Sequence, residues 1–182
     1  THHIAKLPPI AKPRGGEATF QIPDTIEGWA DALGILLSSY FTENQPFPEY
    51  AGQVVKFDYS AIRPKGSPIS SGMGRAPGPD PLHRSLDIIR GLLNNLIGDA
   101  DSVNLRSIDS YDIIMHASDA VLSGGVRRSA CICLFSPDDE LMATAKTGNW
   151  FIENPQRARA NNSAMLLRNS TSREQFSRLM KS

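Results

Sequence analysis

The chain has 182 residues, enough for one compact domain with a sizeable core and few for two. Nineteen basic and nineteen acidic side chains cancel, so no long-range field draws it onto a nucleic-acid backbone or an acidic membrane, and any anion it binds is held by local groups. No run approaches the ~18 apolar residues of a membrane span, and the start has no apolar signal-peptide centre, so the expectation is a soluble, cytoplasmic protein with neither membrane nor nucleic acid as partner.

Residues 1–23 carry Pro8, Pro9, Pro13, Pro23 and a Gly-Gly pair, which predicts an extended arm or connector. The domain proper is expected over 24–182. Asp24 or Thr25 caps a first helix whose apolar positions Ile26, Trp29, Ala30, Leu33, Leu37 and Tyr40 follow helical spacing. Alternation and branched residues predict a strand near 54–60. The loop at 63–81 holds four glycines and five prolines in its nineteen residues, and loops that long inside a domain are functional or disordered. Helix resumes at Pro81, with Leu82, Leu86, Ile89, Leu93 and Leu96 in one stripe and Gly98 as its stop.

A third helix follows, capped by Ser107 or Asp109. After the Gly-Gly turn comes a strand within 126–135. A short helix is expected with Ser136 as cap, Pro137 first, Lys146 in the last turn and Gly148 beyond it. A strand over 163–168 and a final helix opened by a Thr171–Glu174 capping box complete the order. Helices alternating with strands predict an α/β domain with at least partly parallel pairing.

Two loops stand out as carriers of chemistry, because α/β enzymes place binding groups at strand ends. In Ser123, Gly124, Gly125, Val126, Arg127, Arg128, Ser129 and Ala130, the glycines permit close approach, free amides face an anion, and two guanidiniums add charge and a planar fork. That suits a nucleotide. The plainer reading is a helix stop followed by one solvated arginine and one paired with a carboxylate such as Asp119; composition alone leaves both open. Gly66, Ser67, Pro68, Ile69, Ser70, Ser71 and Gly72 form either a phosphate cradle or a proline-stiffened crossover, and neither GxGxxG nor GxxxxGK[ST] is present.

The other candidates are weaker. Cys131 and Cys133 make no disulfide framework and no CxxC motif; two apart in a strand, they share a face and read as small apolar fillers. His116 reads as a packing histidine, His83 shows no partner in sequence, His2 and His3 lie in the arm, and Trp150 lies in a loop where it can stack. No catalytic set and no metal-spaced cluster can be assembled.

Taken together, "FDYSAIRPKGSPISSGMGRAPGPDPL" at 57–82 and "SDAVLSGGVRRSACICLFSPDDELMATAKTGNWFIENPQRARANNSAMLLRN" at 118–169 resemble the catalytic chain of ribonucleotide reductases, most closely the adenosylcobalamin-dependent class. The resemblance implies an α/β fold that is part of a ten-stranded α/β barrel, and thiyl-radical reduction of ribonucleotides for DNA synthesis. It implies that Gly66 to Gly78 match a first specificity loop and Ser123 to Ala130 a second, lying between the substrate base and an allosteric deoxynucleotide effector. It also implies adenosylcobalamin, a dithiol reductant and the remaining reductase segments as partners. The family's Asn-Pro-Cys-Gly-Glu type of finger-loop motif is absent, and Cys131 and Cys133 match neither catalytic cysteine position, so no catalytic residue is carried over. The expectation is an internal piece of such a reductase, whether a sequence fragment, a split-gene product or an extein beginning at Thr1. A stand-alone deoxynucleotide-binding module and an unfolded remnant with exposed strand edges are the alternatives.

Overall fold

In the computed structural model, which describes residues 6–68, 74–122 and 131–181, two parallel strand pairs are joined through two packed helices. The first pair is β1 (Glu17–Gln21) and β2 (Val54–Asp58), in register from Glu17↔Val54 to Gln21↔Asp58. Helix α1 (Ile26–Tyr40) makes the crossover between them. The second pair is β3 (Cys131–Phe135) and β4 (Ala160–Ala164), in register from Cys131↔Ala160 to Phe135↔Ala164. Between these lie two short helices, α4 (Glu140–Ala143) and α5 (Trp150–Glu153), and a 3-10 turn at Pro155–Arg159. Parallel strands require such crossovers. The α/β class and the parallel pairing therefore hold. The described strands make two sheets of two, not a closed barrel.

Helix α2 (Asp80–Ile97) ends where the sequence places its stop: Gly98 takes φ +54° and its N–H closes on Asn94 O at 3.0 Å. Helix α3 (Ser107–Leu122) follows after the short connection 98–106. Its start is held by Asp109, which accepts from the Arg106 backbone N–H (2.9 Å) and guanidinium. Two long helices joined by so short a connection and packed along one another run antiparallel.

The core forms on both sides of α3. Ile113 and Ala120 join Leu36, Leu86, Ile89 and Leu93 in one cluster, while Ile108, Tyr111 and Met115 join Phe135, Met142 and Ala160 in the other. The proline-rich start is extended and docked. Ile10 is fully buried, exchanging backbone bonds with Val103, and β1 itself falls within the segment expected as an arm.

Several local expectations shift. Thr25 caps α1 as predicted, accepting from Gly28 N–H at 2.9 Å. Of the expected stripe Tyr40 is buried and Trp29, Leu33 and Leu37 pack partly buried against the core, but Ile26 is 76% exposed and the fully buried face also takes in Gly28, Ala32, Ile35, Leu36, Ser38 and Ser39. Serines fit that face because their hydroxyls are satisfied locally: Ser38 Oγ accepts from Phe47 N–H and Ser39 Oγ donates to Leu36 O. Helix α4 starts later and ends sooner than expected, because Asp139 rather than Ser136 caps it, accepting from Met142 N–H (3.1 Å) and Ser107 Oγ (3.0 Å).

The last strand is Ala160–Ala164, not 163–168, because register with β3 rather than the apolar run Met165–Leu167 decides where pairing occurs. The final helix, α6 (Arg173–Leu179), has its capping box one residue later, at Ser172 and Gln175. No described helix is long and apolar enough to cross a membrane.

Candidate functional site

The first loop leaves β2 through a local polar knot. Asp58 Oδ1 accepts from Ser60 N–H at 2.9 Å, its other oxygen accepts from Gln21 at 3.2 Å, and these bonds hold its carboxyl below the ordinary carboxylate range. Ile62 is buried, and Arg63 pairs with Asp24 beside the α1 cap. Beyond it the chain doubles back on itself. Gly66 N–H donates to Ala76 O (2.9 Å), Ala76 N–H donates to Ser67 O (2.8 Å), and Arg75 Nη1 donates to Gly66 O (3.1 Å).

Three glycines take left-handed φ in this neck: Gly66 at +89°, Gly74 at +99° and Gly78 at +75°. Gly78 also has no room for a side chain, since a Cβ there would stand 2.8 Å from Lys65 N. Gly66, Ser67 and Pro68 thus stand in a hairpin neck opening directly into α2. Ile69, Ser70, Ser71 and Gly72 lie outside the described residues, as do Ser123 to Ala130, His2 and His3.

The ends of the second loop are nonetheless fixed. One is the last turn of α3 and the other is Cys131, the first residue of β3. Because α2 and α3 are antiparallel, the start of α2 and the end of α3 lie at the same end of the pair. The two candidate loops therefore spring from one end of the scaffold.

Between α3 and the turn entering β4 sits a buried polar network. Arg157 grips Asp112 with two bonds, Nε to Oδ1 at 2.8 Å and Nη2 to Oδ2 at 2.6 Å, and gives Nη1 to Ala145 O at 2.8 Å. Gln156 donates a further bond to Asp112 Oδ1 at 3.1 Å. The Tyr111 hydroxyl donates to Asn162 Oδ1 at 2.9 Å, joining α3 to β4, and burial pushes its pKa up. Asp119 accepts from Arg159 Nε at 2.7 Å; Arg127 and Arg128, the partners considered for it above, lie outside the described residues. His116, between Asp112 and Asp119 on α3, is half-buried. Burial lowers its pKa more than the two carboxylates raise it.

The remaining candidates have local partners. Cys131, Cys133 and Phe135 share the inner face of β3, while Ile132 and Leu134 point outward and are exposed. Burial raises the Cys133 thiol pKa, the reverse of what a reactive thiolate needs. His83 has two partners that sequence did not reveal, the Asp87 carboxylate at 3.2 Å and the Tyr59 ring at 4.6 Å between centroids. Trp150 lies in α5 and stacks under Lys146, whose ammonium stands 5.3 Å from its ring centre. The sequence reading missed the Asp112–Arg157 and Asp119–Arg159 pairs. Their signal was present as two aspartates two helical turns apart and two arginines two positions apart.

A family model described as the B12-dependent ribonucleotide reductase insertion domain matches residues 11–93, which include the first loop. A Dictyostelium discoideum protein named "Probable adenosylcobalamin-dependent ribonucleoside-triphosphate reductase" is 38% identical over 140 residues, covering 76% of this chain and 16% of that protein. The adenosylcobalamin-dependent ribonucleoside-triphosphate reductase of Lactobacillus leichmannii is 37% identical over 121 residues, 66% of this chain and 15% of the relative. A crystal structure of a B12-dependent (class II) ribonucleotide reductase superposes with a TM-score of 0.65 at 29% identity, over 82% of this chain and 19% of that one. The chain is a relative of the class II ribonucleotide reductases. It matches a segment of these reductases, about a sixth of their length.

Proposed function

We propose that this chain is the part of an adenosylcobalamin-dependent ribonucleotide reductase that supplies two nucleotide specificity loops, Gly66 to Gly72 and Ser123 to Ala130, while other segments supply the catalytic cysteines. What supports this reading is that the described ends of the two loops, at the start of α2 and the end of α3, lie at one end of the α2–α3 pair. The substrates on this reading are ribonucleoside triphosphates, as in the names of the relatives. A deoxynucleotide is the effector and a dithiol the reductant, and the two parallel strand pairs are portions of the family's ten-stranded barrel.

The described residues do work suited to that role. The neck bonds at Gly66, Ser67 and Ala76 hold the first loop, and the buried Asp112–Arg157 pair holds α3 to the turn entering β4. Arg127 or Arg128 reports the effector to the substrate through contacts that differ between effectors, as a change of specificity requires. No described residue is assigned to the cofactor. The groove beside β4, about 480 Å³ and lined by Phe135, Met142, Lys146, Asn161 and Phe176, is too small for a corrinoid with its nucleotide tail. Among the described residues no three metal-ligating side chains converge. No step through adenosylcobalamin is assigned to these residues.

The test is ribonucleoside triphosphate reduction with adenosylcobalamin and a dithiol, by this chain alone and by the chain assembled with the segments carrying the finger loop. Activity of the assembly alone, with an altered effector response in Arg127→Ala, is the expected result. Activity of the isolated chain would overturn the placement of the cysteines. Deoxynucleotide binding without activity in a correctly assembled mixture would favour a stand-alone binding module.

A further inference from the structure

Two arginines of one turn meet two aspartates of one helix face. Arg157 and Arg159 belong to the 3-10 turn entering β4, and Asp112 and Asp119 lie two helical turns apart on α3. The two rungs differ in kind. The inner pair is bidentate and its side chains are only 13% and 10% exposed, whereas the outer pair has one bond of 2.7 Å and side chains 45% and 36% exposed. A pair as open as the outer one adds little to stability.

Its position gives it another use. Asp119 sits in the last turn of α3, immediately before the segment 123–130. Arg159 immediately precedes Ala160, whose partner across the sheet is Cys131, the residue immediately after that segment. The outer rung therefore ties together the two points between which 123–130 is strung. A second contact does the same, since Ser118 Oγ stands 3.6 Å from Cys131 Sγ.

We infer that Asp119 and Arg159 are positioning residues that fix the span of the segment 123–130 and thereby set how strongly an effector changes substrate preference. This rests on the reading of 123–130 as a specificity loop. Breaking the outer rung leaves α3 held to the β4 segment by the inner one, so the fold persists. The ends of the segment then sample a wider range of separations. Conformations that suit one effector lose their advantage over those that suit another, and the preference each effector imposes is diluted.

The experiment uses the assembled reductase containing this chain. It measures relative reduction of the four ribonucleoside triphosphates with each deoxynucleoside triphosphate as effector, in Asp119→Asn, Arg159→Gln and the charge-exchanged Asp119→Arg/Arg159→Asp. Expected are an effector-imposed preference weakened by about threefold in each single variant, the size an exposed pair allows, an unchanged melting temperature and unchanged turnover without effector. The exchanged pair restores the preference. Hydrogen exchange in a peptide spanning 120–132 rises in the single variants and returns in the exchanged one. An unchanged preference in both single variants while Arg127→Ala or Arg128→Ala does change it overturns the inference and spares the loop assignment. A lowered melting temperature with unaltered preference, or failure of the exchanged pair to restore it, also overturns it. No effect of either Arg127→Ala or Arg128→Ala removes the loop assignment itself, and the inference with it.

Discussion

Removing one partner of the Asp112–Arg157 pair should destabilise the chain more than removing both. The two side chains are 10% and 13% exposed, and Asp112 receives two bonds from Arg157 and one from Gln156. Asp112→Leu deletes all three and leaves the guanidinium with Ala145 O alone, at 2.8 Å. Stranding a charge in this way costs about 3–5 kcal/mol, whereas replacing both ions with apolar groups of similar volume is close to neutral. With a urea dependence of about 2 kcal/mol per molar for a chain this size, the midpoint of Asp112→Leu falls by about 2 M. That of Asp112→Leu/Arg157→Met recovers most of the loss. Urea titration followed by far-ultraviolet circular dichroism reads both. A loss of under about 1 kcal/mol in the single variant, or a double variant as unstable as the single one, would refute the claim that burial of an unpaired charge governs this site.

Two glycines should respond to alanine with opposite signs. Gly78→Ala forces a side chain onto φ +75° and against Lys65 N, and thermal melting should show a loss of about 1–3 kcal/mol. Gly91→Ala, inside α2 with nothing within 4 Å of the new Cβ, should gain about 0.5–1 kcal/mol in the same assay. His116 predicts a pH effect. Its folded pKa lies below the ordinary 6.5, so between the two values the unfolded chain binds more protons. Stability falls as pH drops through that window and levels off below the folded value. His116→Gln should flatten that part of a stability–pH profile measured by urea titration; an unchanged slope would remove His116 as its source.

The features legible in the sequence are those set by near neighbours along the chain. Thr25 caps α1 and Gly98 stops α2 because a cap and a left-handed stop need only the adjacent turn. Parallel pairing follows from strands separated by helices, and the shared face of Cys131 and Cys133 from the period of a strand. In the candidate site, the glycines and prolines of 63–81 mark an unusual loop, and the structure adds that Gly66, Gly74 and Gly78 take left-handed φ there.

Tertiary structure decided the rest, because its determinants lie far apart in sequence. Which side of α1 is buried depends on the surfaces it meets and on local bonds that make serine acceptable there. Where β4 begins depends on register with β3, which outweighs the apolar run that follows. The described ends of the two loops, at the start of α2 and the end of α3, share one end of the pair only because those helices fold back on each other. The arginines entering β4 acquire their meaning only when packing sets them against Asp112 and Asp119, more than forty residues earlier in the case of Arg157. A charge shows in sequence, but its partner is chosen by the fold, since the cost of leaving it buried and unpaired is settled only in three dimensions.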